Sequence, residues 1–134
     1  MGYRSEIAIR MTRKNYEAMM ESLALLKKGE FDDFTRTLDI TTLKEVVDDI
    51  EYILEDEMVN KDEEFVDFHF HSIKWCNFYP SVRFIEHFVK EIDDEEAGKP
   101  VYDFLEIGEN TEDITEDYHT DTYPFGVCRE ITWN

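Results

Sequence analysis

The amino-acid sequence predicts a two-layer α+β domain in which two or three helices pack on a small, mostly antiparallel sheet of about four strands. Three observations support this fold class. Some segments alternate apolar and polar residues with period two, others place apolar residues at helical spacing, and these segments follow the order β-α-α-β-α-β-β. The 134 residues fit a single acidic domain covering residues 1–134.

The first two predicted elements are a strand and a helix. Residues 3–11 alternate apolar and polar side chains, which is typical of a half-buried strand. Thr12 is a suitable N-cap for the helix that follows, and Gly29 can end that helix in the left-handed conformation. Residues 30–41 fit either a short helical turn or a loop.

A capping box at residues 42–45 (TLKE) predicts the start of a second helix. We expect a turn at residues 60–64 and then the strongest strand of the chain at residues 65–76. The large apolar side chains of this strand change parity, and a β-bulge near Ser72 would produce that change. Val66 and Phe68 are expected on the main core face.

The last third of the chain predicts one helix and two strands. Pro80 suits the first turn of the helix, and acidic residues at 93–96 end it. Residues 100–107 and 125–133 read as strands, whereas residues 109–122 are acidic and turn-like. Helices that interrupt an antiparallel sheet in this order make a variant of the ferredoxin-like arrangement one candidate topology.

The charge of the chain limits the classes of partner. Asp and Glu number 33 against 14 Lys and Arg, and the formal net charge is −19. Residues 1–28 hold six of the basic residues, so the rest of the chain is still more acidic. Such a body repels nucleic acid and acidic membranes and is attracted to basic surfaces. We therefore expect a basic, nucleic-acid-binding protein as the partner, with no direct nucleic-acid or membrane binding.

Acidic residues concentrate in three stretches, at 48–64, 91–96 and 106–121. If these converge on one surface, their carboxylates could imitate the phosphates of a nucleic acid and compete for a cleft that binds it. The alternative is a highly soluble surface with no specific partner. The predicted partner-binding residues are Asp48, Asp49, Glu55, Asp56, Glu112, Asp113, Glu116 and Asp117.

The chain resembles a group of small acidic proteins of tailed bacteriophages and prophages that have no characterised function. The resemblance rests on the sequences MGYRSE at 1–6, KW at 74–75 with YPSV at 79–82, and IGE at 107–109 followed by EDI at 112–114. It implies an accessory protein that acts in the cytoplasm of a bacterial host. It implies no catalytic residues.

A different class of function follows from Asp67, His69 and His71. Period two places them on one face of a strand, and two histidines with a carboxylate can hold zinc or iron. A purely structural interpretation is favoured, in which these are three polar residues on a partly covered sheet face. The alternative hypothesis is thus a small metal-binding protein or metal-dependent enzyme using these three residues.

Other chemistry has little support. The chain contains no Gly-rich phosphate loop, dinucleotide fingerprint or Gly-x-Ser-x-Gly sequence, so we expect no cofactor and no catalytic residues. Cys76 and Cys128 fall in predicted strands, where a free Cys acts as a small hydrophobe. No leader-like segment opens the chain and no apolar run approaches 18 residues, so a cytoplasmic location is expected.

The basic residues near the start have two interpretations. Arg4, Arg10, Arg13 and Lys14 either contact the acidic surface of a second copy, which would give a homo-oligomer, or relieve repulsion within one fold. The second interpretation is favoured, and a homo-oligomer stays open.

Overall fold

The computed structural model describes residues 5–38, 40, 42–54, 58–76, 79–91, 102–108, 114–120, 125–127 and 131–133. The described helices and strands, in chain order, are β1 (Ser5–Thr12), α1 (Arg13–Lys27), α2 (Leu43–Leu54), β2 (Met58–Lys61), β3 (Phe65–Ile73), α3 (Pro80–Glu86), β4 (Asp103–Ile107), β5 (Ile114–Tyr118), β6 (Phe125–Val127) and β7 (Ile131–Trp133). A 3₁₀ turn covers Thr35–Thr37, and a π-helical turn, His87–Glu91, continues α3. None of the described helices is long and apolar enough to cross a membrane.

The main sheet has five antiparallel strands in the order β2-β3-β1-β4-β5. The first four lie in the order of a ferredoxin-like sheet, with β1 in the centre, and β5 extends one edge. The predicted α+β class, with an open antiparallel sheet beside three helices, is confirmed.

The helices cover one face of this sheet. Apolar residues that alternate along the central strands meet apolar residues of all three helices in the main core. Phe68 is 1% exposed and Val66 is fully buried there, so the predicted parity of β3 is confirmed. Tyr16 of α1 stacks at a tilt on Phe68, with ring centroids 5.9 Å apart. The opposite face of the sheet is the side that carries the candidate site described below.

The ends of α1 follow from two residues. The Thr12 hydroxyl accepts a hydrogen bond from the Asn15 N–H at 3.1 Å, which satisfies one of the free donors at the helix start. Gly29 has φ +78° and follows the last turn, where its N–H donates to the Leu26 carbonyl at 2.9 Å. Both predicted helix boundaries are confirmed.

The bulge predicted near Ser72 is also confirmed. Ser5 pairs with Ile73 and Ile7 pairs with Phe70, so two steps along β1 oppose three steps along β3. The extra residue lies at position 71 or 72 and bends the end of β3. As a result, Ser5 pairs with Ile73 rather than with residue 72.

Three stretches differ from the sequence-based prediction. Residues 58–61 form edge strand β2, and the predicted turn is confined to residues 62–64, where the Asp62 carboxylate accepts the Glu64 and Phe65 N–H groups at 2.8 Å. Residues 114–118 form edge strand β5 rather than a turn. The single strand predicted at 125–133 is the hairpin β6–β7.

Smaller differences concern the end of strand β3 and parts of the chain outside the described residues. β3 ends at Ile73, so half-buried Cys76 lies beyond the strand rather than within it. The helix end predicted at 93–96, the start of the strand predicted at residue 100, and Cys128 lie outside the described residues.

The hairpin β6–β7 covers the sheet face that the helices leave open. Phe125 and Ile131 bury Ala8 of β1 and Leu105 of β4 in a second, smaller core. Trp133 packs at the margin of this core, with its ring centroid 5.1 Å from that of Phe125. This arrangement places an aromatic side chain of β7 next to the polar residues of β1 and β3.

Candidate functional site

Glu6, His69 and His71 meet on the sheet face opposite the helices. Glu6 and Ala8 share this face of β1, and His69 is the register partner of Ala8 on β3. His71 follows on the same face of β3, one residue beyond Phe70, and Phe70 is the register partner of Ile7, so His71 lies across from Glu6. One nitrogen or oxygen atom from each of the three side chains lies within 4.8 Å of the other two. We call this group the Glu6–His69–His71 cluster.

Glu6 is the centre of the cluster. Its Oε1 lies 2.6 Å from Nε2 of His69 and 3.9 Å from Nδ1 of His71. The two imidazole rings are 4.0 Å apart between centroids. The side chains are 11% exposed for His69, 23% for Glu6 and 66% for His71, so solvent reaches the cluster from the His71 side.

Trp133 fixes the state of His69. The indole N–H donates a hydrogen bond to Nδ1 of His69 at 2.8 Å. Because an indole N–H is a donor only, Nδ1 of His69 must present its lone pair, and the proton of the neutral ring lies on Nε2. His69 therefore donates from Nε2 to Glu6, and both of its nitrogens are engaged.

Asp67, the carboxylate that the sequence analysis grouped with the two histidines, lies in a different contact. Its two oxygens accept hydrogen bonds from Nε and Nη2 of Arg10 at 2.7 and 2.9 Å. Asp67 is 2% exposed and Arg10 is 7% exposed. The pair neutralises two buried charges, and the carboxylate beside the histidines is Glu6 instead.

Arg10 lies between two buried carboxylates. It is the register partner of Asp67 on β3 and of Asp103 on β4. The hydrogen bonds to Asp67 raise the pKa of Arg10 against the effect of burial, and the charges of Asp67 and Asp103 add to the rise. Asp103, which is fully buried, also accepts the His119 and Thr120 N–H groups at 2.8 and 2.9 Å and the Thr120 hydroxyl.

Two of the basic residues near the start, Arg10 and Arg13, have partners within the chain. Besides the Arg10 pair, Arg13 Nε lies 3.0 Å from Glu17, one helical turn away. Both contacts support the intramolecular interpretation for these two arginines. Lys14 is exposed on α1, and Arg4 lies outside the described residues.

The predicted partner-binding acids do not form one described surface. Asp48 and Asp49 are exposed on α2, over the helical face of the sheet. Glu116 opposes Leu105 and Asp117 opposes Phe104, so these two acids lie on opposite faces of β5. The remaining four, Glu55, Asp56, Glu112 and Asp113, lie outside the described residues.

Asp117 has partners of its own. Its Oδ2 accepts the Tyr102 hydroxyl at 2.5 Å, and its Oδ1 lies 2.6 Å from Nε2 of His119. These contacts hold β5 and the following residues on β4, so Asp117 has a structural role that the sequence analysis did not assign.

The outer face of α2 combines carboxylates with an aromatic side chain. Glu45, Asp48, Asp49 and Tyr52 follow helical spacing on the side away from buried Val46, Val47 and Ile50. The Tyr52 ring is 81% exposed, the largest value among the exposed large hydrophobic residues described. We call these four residues the acidic face of α2.

The sequence analysis did not predict four residues of these sites, Glu6, Trp133, Glu45 and Tyr52. Glu6 carries no local signal, because only the register of β1 against β3 brings it to the histidines. Trp133 reaches His69 because the last segment is a hairpin rather than one strand. The outer face of α2 could have been predicted from the sequence, because helical spacing places Tyr52 among the acidic residues on the side away from the core.

Comparison of the chain with protein-family models, with curated proteins and with solved structures finds no match.

Proposed function

We propose that this protein is a binding module that docks onto a basic surface of another protein through the acidic face of α2. The observation that carries the proposal is Tyr52, an aromatic side chain that is 81% exposed and has Asp48 and Asp49 one turn before it. Tyr is among the side chains that most often supply the binding energy at the centre of a protein interface, and charged residues form the rim around such an anchor.

The two kinds of side chain have different roles in this proposal. Tyr52 buries its ring on the partner and contributes most of the affinity, because large desolvated aromatics dominate binding energies. The carboxylates of Glu45, Asp48 and Asp49 select a basic partner and speed its approach, and the net charge of −19 acts in the same direction.

The charge density of α2 favours a basic protein surface over close mimicry of a duplex. The helix has 12 residues, including four acids and one lysine, and spans about 18 Å. This amounts to about one net negative charge per 6 Å, whereas duplex DNA carries about one per 1.7 Å. We therefore propose a partner that is basic in its own right, such as a nucleic-acid-binding protein of the bacterial host implied by the resemblance.

The experiment compares three forms of the protein as bait. The first is wild type, the second is Asp48→Asn/Asp49→Asn/Tyr52→Ala, and the third is Glu63→Gln/Glu64→Gln. Glu63 and Glu64 are exposed in the turn before β3, beside the start of α1, whereas α2 contacts the end of α1 through the Lys27–Glu51 ion pair. The third form therefore matches the change in charge without altering the proposed face. Partners captured from bacterial lysate are then purified, and their affinities for the three forms are measured at about 50 and 200 mM salt.

The expected result is a partner whose affinity falls at least about tenfold for the α2 variant and less than about twofold for the control. Affinity for wild type should also fall as salt rises. Equal binding by all three forms would exclude the α2 face. Competition by DNA or RNA for the same partner would indicate that the protein occupies a nucleic-acid site, and direct binding of nucleic acid to this protein would contradict the proposal.

A further inference from the structure

We propose that Glu6, His69 and His71 bind a divalent transition-metal ion of the zinc class. This goes beyond the proposed binding module, since the cluster lies on the sheet face opposite α2. It also differs from the Asp67 grouping read from the sequence, because Asp67 is paired with Arg10. The ligands would be one carboxylate oxygen of Glu6, Nε2 of His69 and a ring nitrogen of His71.

The donor set selects the class of ion. Two imidazole nitrogens and one carboxylate oxygen suit zinc and neighbouring transition metals, whereas magnesium and calcium prefer oxygen ligands alone. Three protein ligands leave a fourth position open to water. His71, with a side chain that is 66% exposed, marks the side from which that water would approach.

The distances require only small movements. In a tetrahedral site with ligand bonds of about 2.1 Å, neighbouring ligand atoms are about 3.4 Å apart. The Glu6–His69 contact of 2.6 Å must open by less than about 1 Å, and the Glu6–His71 contact of 3.9 Å must close by a similar or smaller amount. Pairing of His69 with Ala8 and of Glu6 with Ile107 of β4 holds the backbone beside the cluster, so rotation of side chains supplies these movements.

Binding at Nε2 of His69 has a second consequence. The proton on Nε2 must leave that nitrogen, and in the neutral metal-bound ring the proton lies on Nδ1. On Nδ1 this proton would face the Trp133 indole N–H, which donates to the lone pair of Nδ1 in the structure described above. Metal binding therefore breaks the Trp133–His69 hydrogen bond and changes the surroundings of the indole in β7.

Metal binding at His69 should therefore change the signal of the Trp133 indole N–H, and metal binding at carboxylates elsewhere on the surface should not. Trp133 reports on the cluster, while Trp75 donates its indole N–H to Glu86 at 2.8 Å on the helical side of the sheet and serves as an internal control. The two tryptophans can be distinguished by the loss of one indole signal in Trp133→Phe.

The test titrates Zn²⁺ into untagged protein in the presence of excess Mg²⁺, which occupies isolated carboxylates. Calorimetry gives the affinity, and ¹H–¹⁵N spectra follow the two indole N–H signals. We expect one Zn²⁺ per chain and a shift of the Trp133 signal without a shift of the Trp75 signal. His71→Ala should lower the affinity by about tenfold or more. Because His71 is exposed, this variant should keep its fold.

His119→Ala is the matched control, because His119 also lies beside a carboxylate but belongs to the β5 end of the sheet. Its affinity for Zn²⁺ should stay within about twofold of wild type. Equal affinities for wild type and His71→Ala would overturn the proposal. A Trp133 signal that does not move during saturation would remove His69 as a ligand and overturn the three-ligand site.

Discussion

Replacing Arg10 by Met should cost more stability than replacing Asp67 by Asn, although the two residues form one ion pair. Arg10 lies between two carboxylates that are 2% and 0% exposed, Asp67 and Asp103. Arg10→Met leaves Asp67 buried without its two charged hydrogen bonds and brings no new charge to oppose Asp103. We expect a loss of about 3–5 kcal/mol in the free energy of unfolding.

Asp67→Asn removes one charge but leaves Arg10 beside Asp103. The amide oxygen of Asn can still accept one hydrogen bond from the guanidinium, so the main cost is one poorly satisfied buried group. We expect a loss of about 1–3 kcal/mol. The double variant Arg10→Met/Asp67→Leu should be more stable than Arg10→Met alone, because it removes the uncompensated carboxylate and replaces the pair by apolar side chains.

The assay is denaturant unfolding of the four proteins followed by circular dichroism. The raised pKa of Arg10 gives a contribution to stability that is complete below the pKa of Arg in the unfolded chain and is lost as pH rises through the folded pKa, far above neutral pH. The difference between wild type and Arg10→Met should therefore stay constant from about pH 6 to 9. A loss under about 1 kcal/mol for Arg10→Met, or a larger loss for Asp67→Asn, would refute the reasoning.

Three further variants test other contacts. Phe68→Ala should destabilise the protein by about 3–5 kcal/mol in the same assay, because the ring is 1% exposed in the main core, and a loss below about 1 kcal/mol would contradict that burial. Gly29→Ala should cost about 1 kcal/mol through its φ of +78°, since open space surrounds the added methyl group, and Gly29→Asn should cost less. Burial tends to raise the pKa of Asp32, but hydrogen bonds from Ser22 and Thr35 leave it below its ordinary value. This contribution is complete above the unfolded pKa of about 3.8 and is lost as pH falls through the folded pKa. The difference in unfolding free energy between wild type and Asp32→Asn should therefore become smaller in acid, and a difference that grew in acid would contradict this assignment.

The elements with strong local signals could be predicted from the sequence. Thr12 and Gly29 bound α1 through capping chemistry that involves only nearby residues, and the parity change of β3 announces its bulge. The two edge strands could not be predicted in this way. β5 contains Glu116 and Asp117 and lacks a repeated apolar face, because an edge strand needs only backbone pairing with β4 to form.

The two candidate sites also differ in whether local sequence signals could predict them. The outer face of α2 is a property of one helix, and helical spacing alone defines it. The Glu6–His69–His71 cluster depends on which strands are neighbours, and so does the capture of Asp67 by Arg10. Period two placed Asp67 and His69 on one face of β3, but it could not tell that Asp67 would pair with Arg10 and His69 with Glu6 across the sheet.

The central position of β1 has a consequence for how the chain assembles. Strands β2 and β3 form one hairpin, strands β4 and β5 form another, and β1 joins the two although both come much later in the chain. Until this non-local pairing forms, each hairpin exposes an edge that could pair with another molecule. The charge of −19 opposes such encounters, because every molecule carries the same sign. The negative charge of the chain thus lowers the risk of aggregation while the sheet is incomplete.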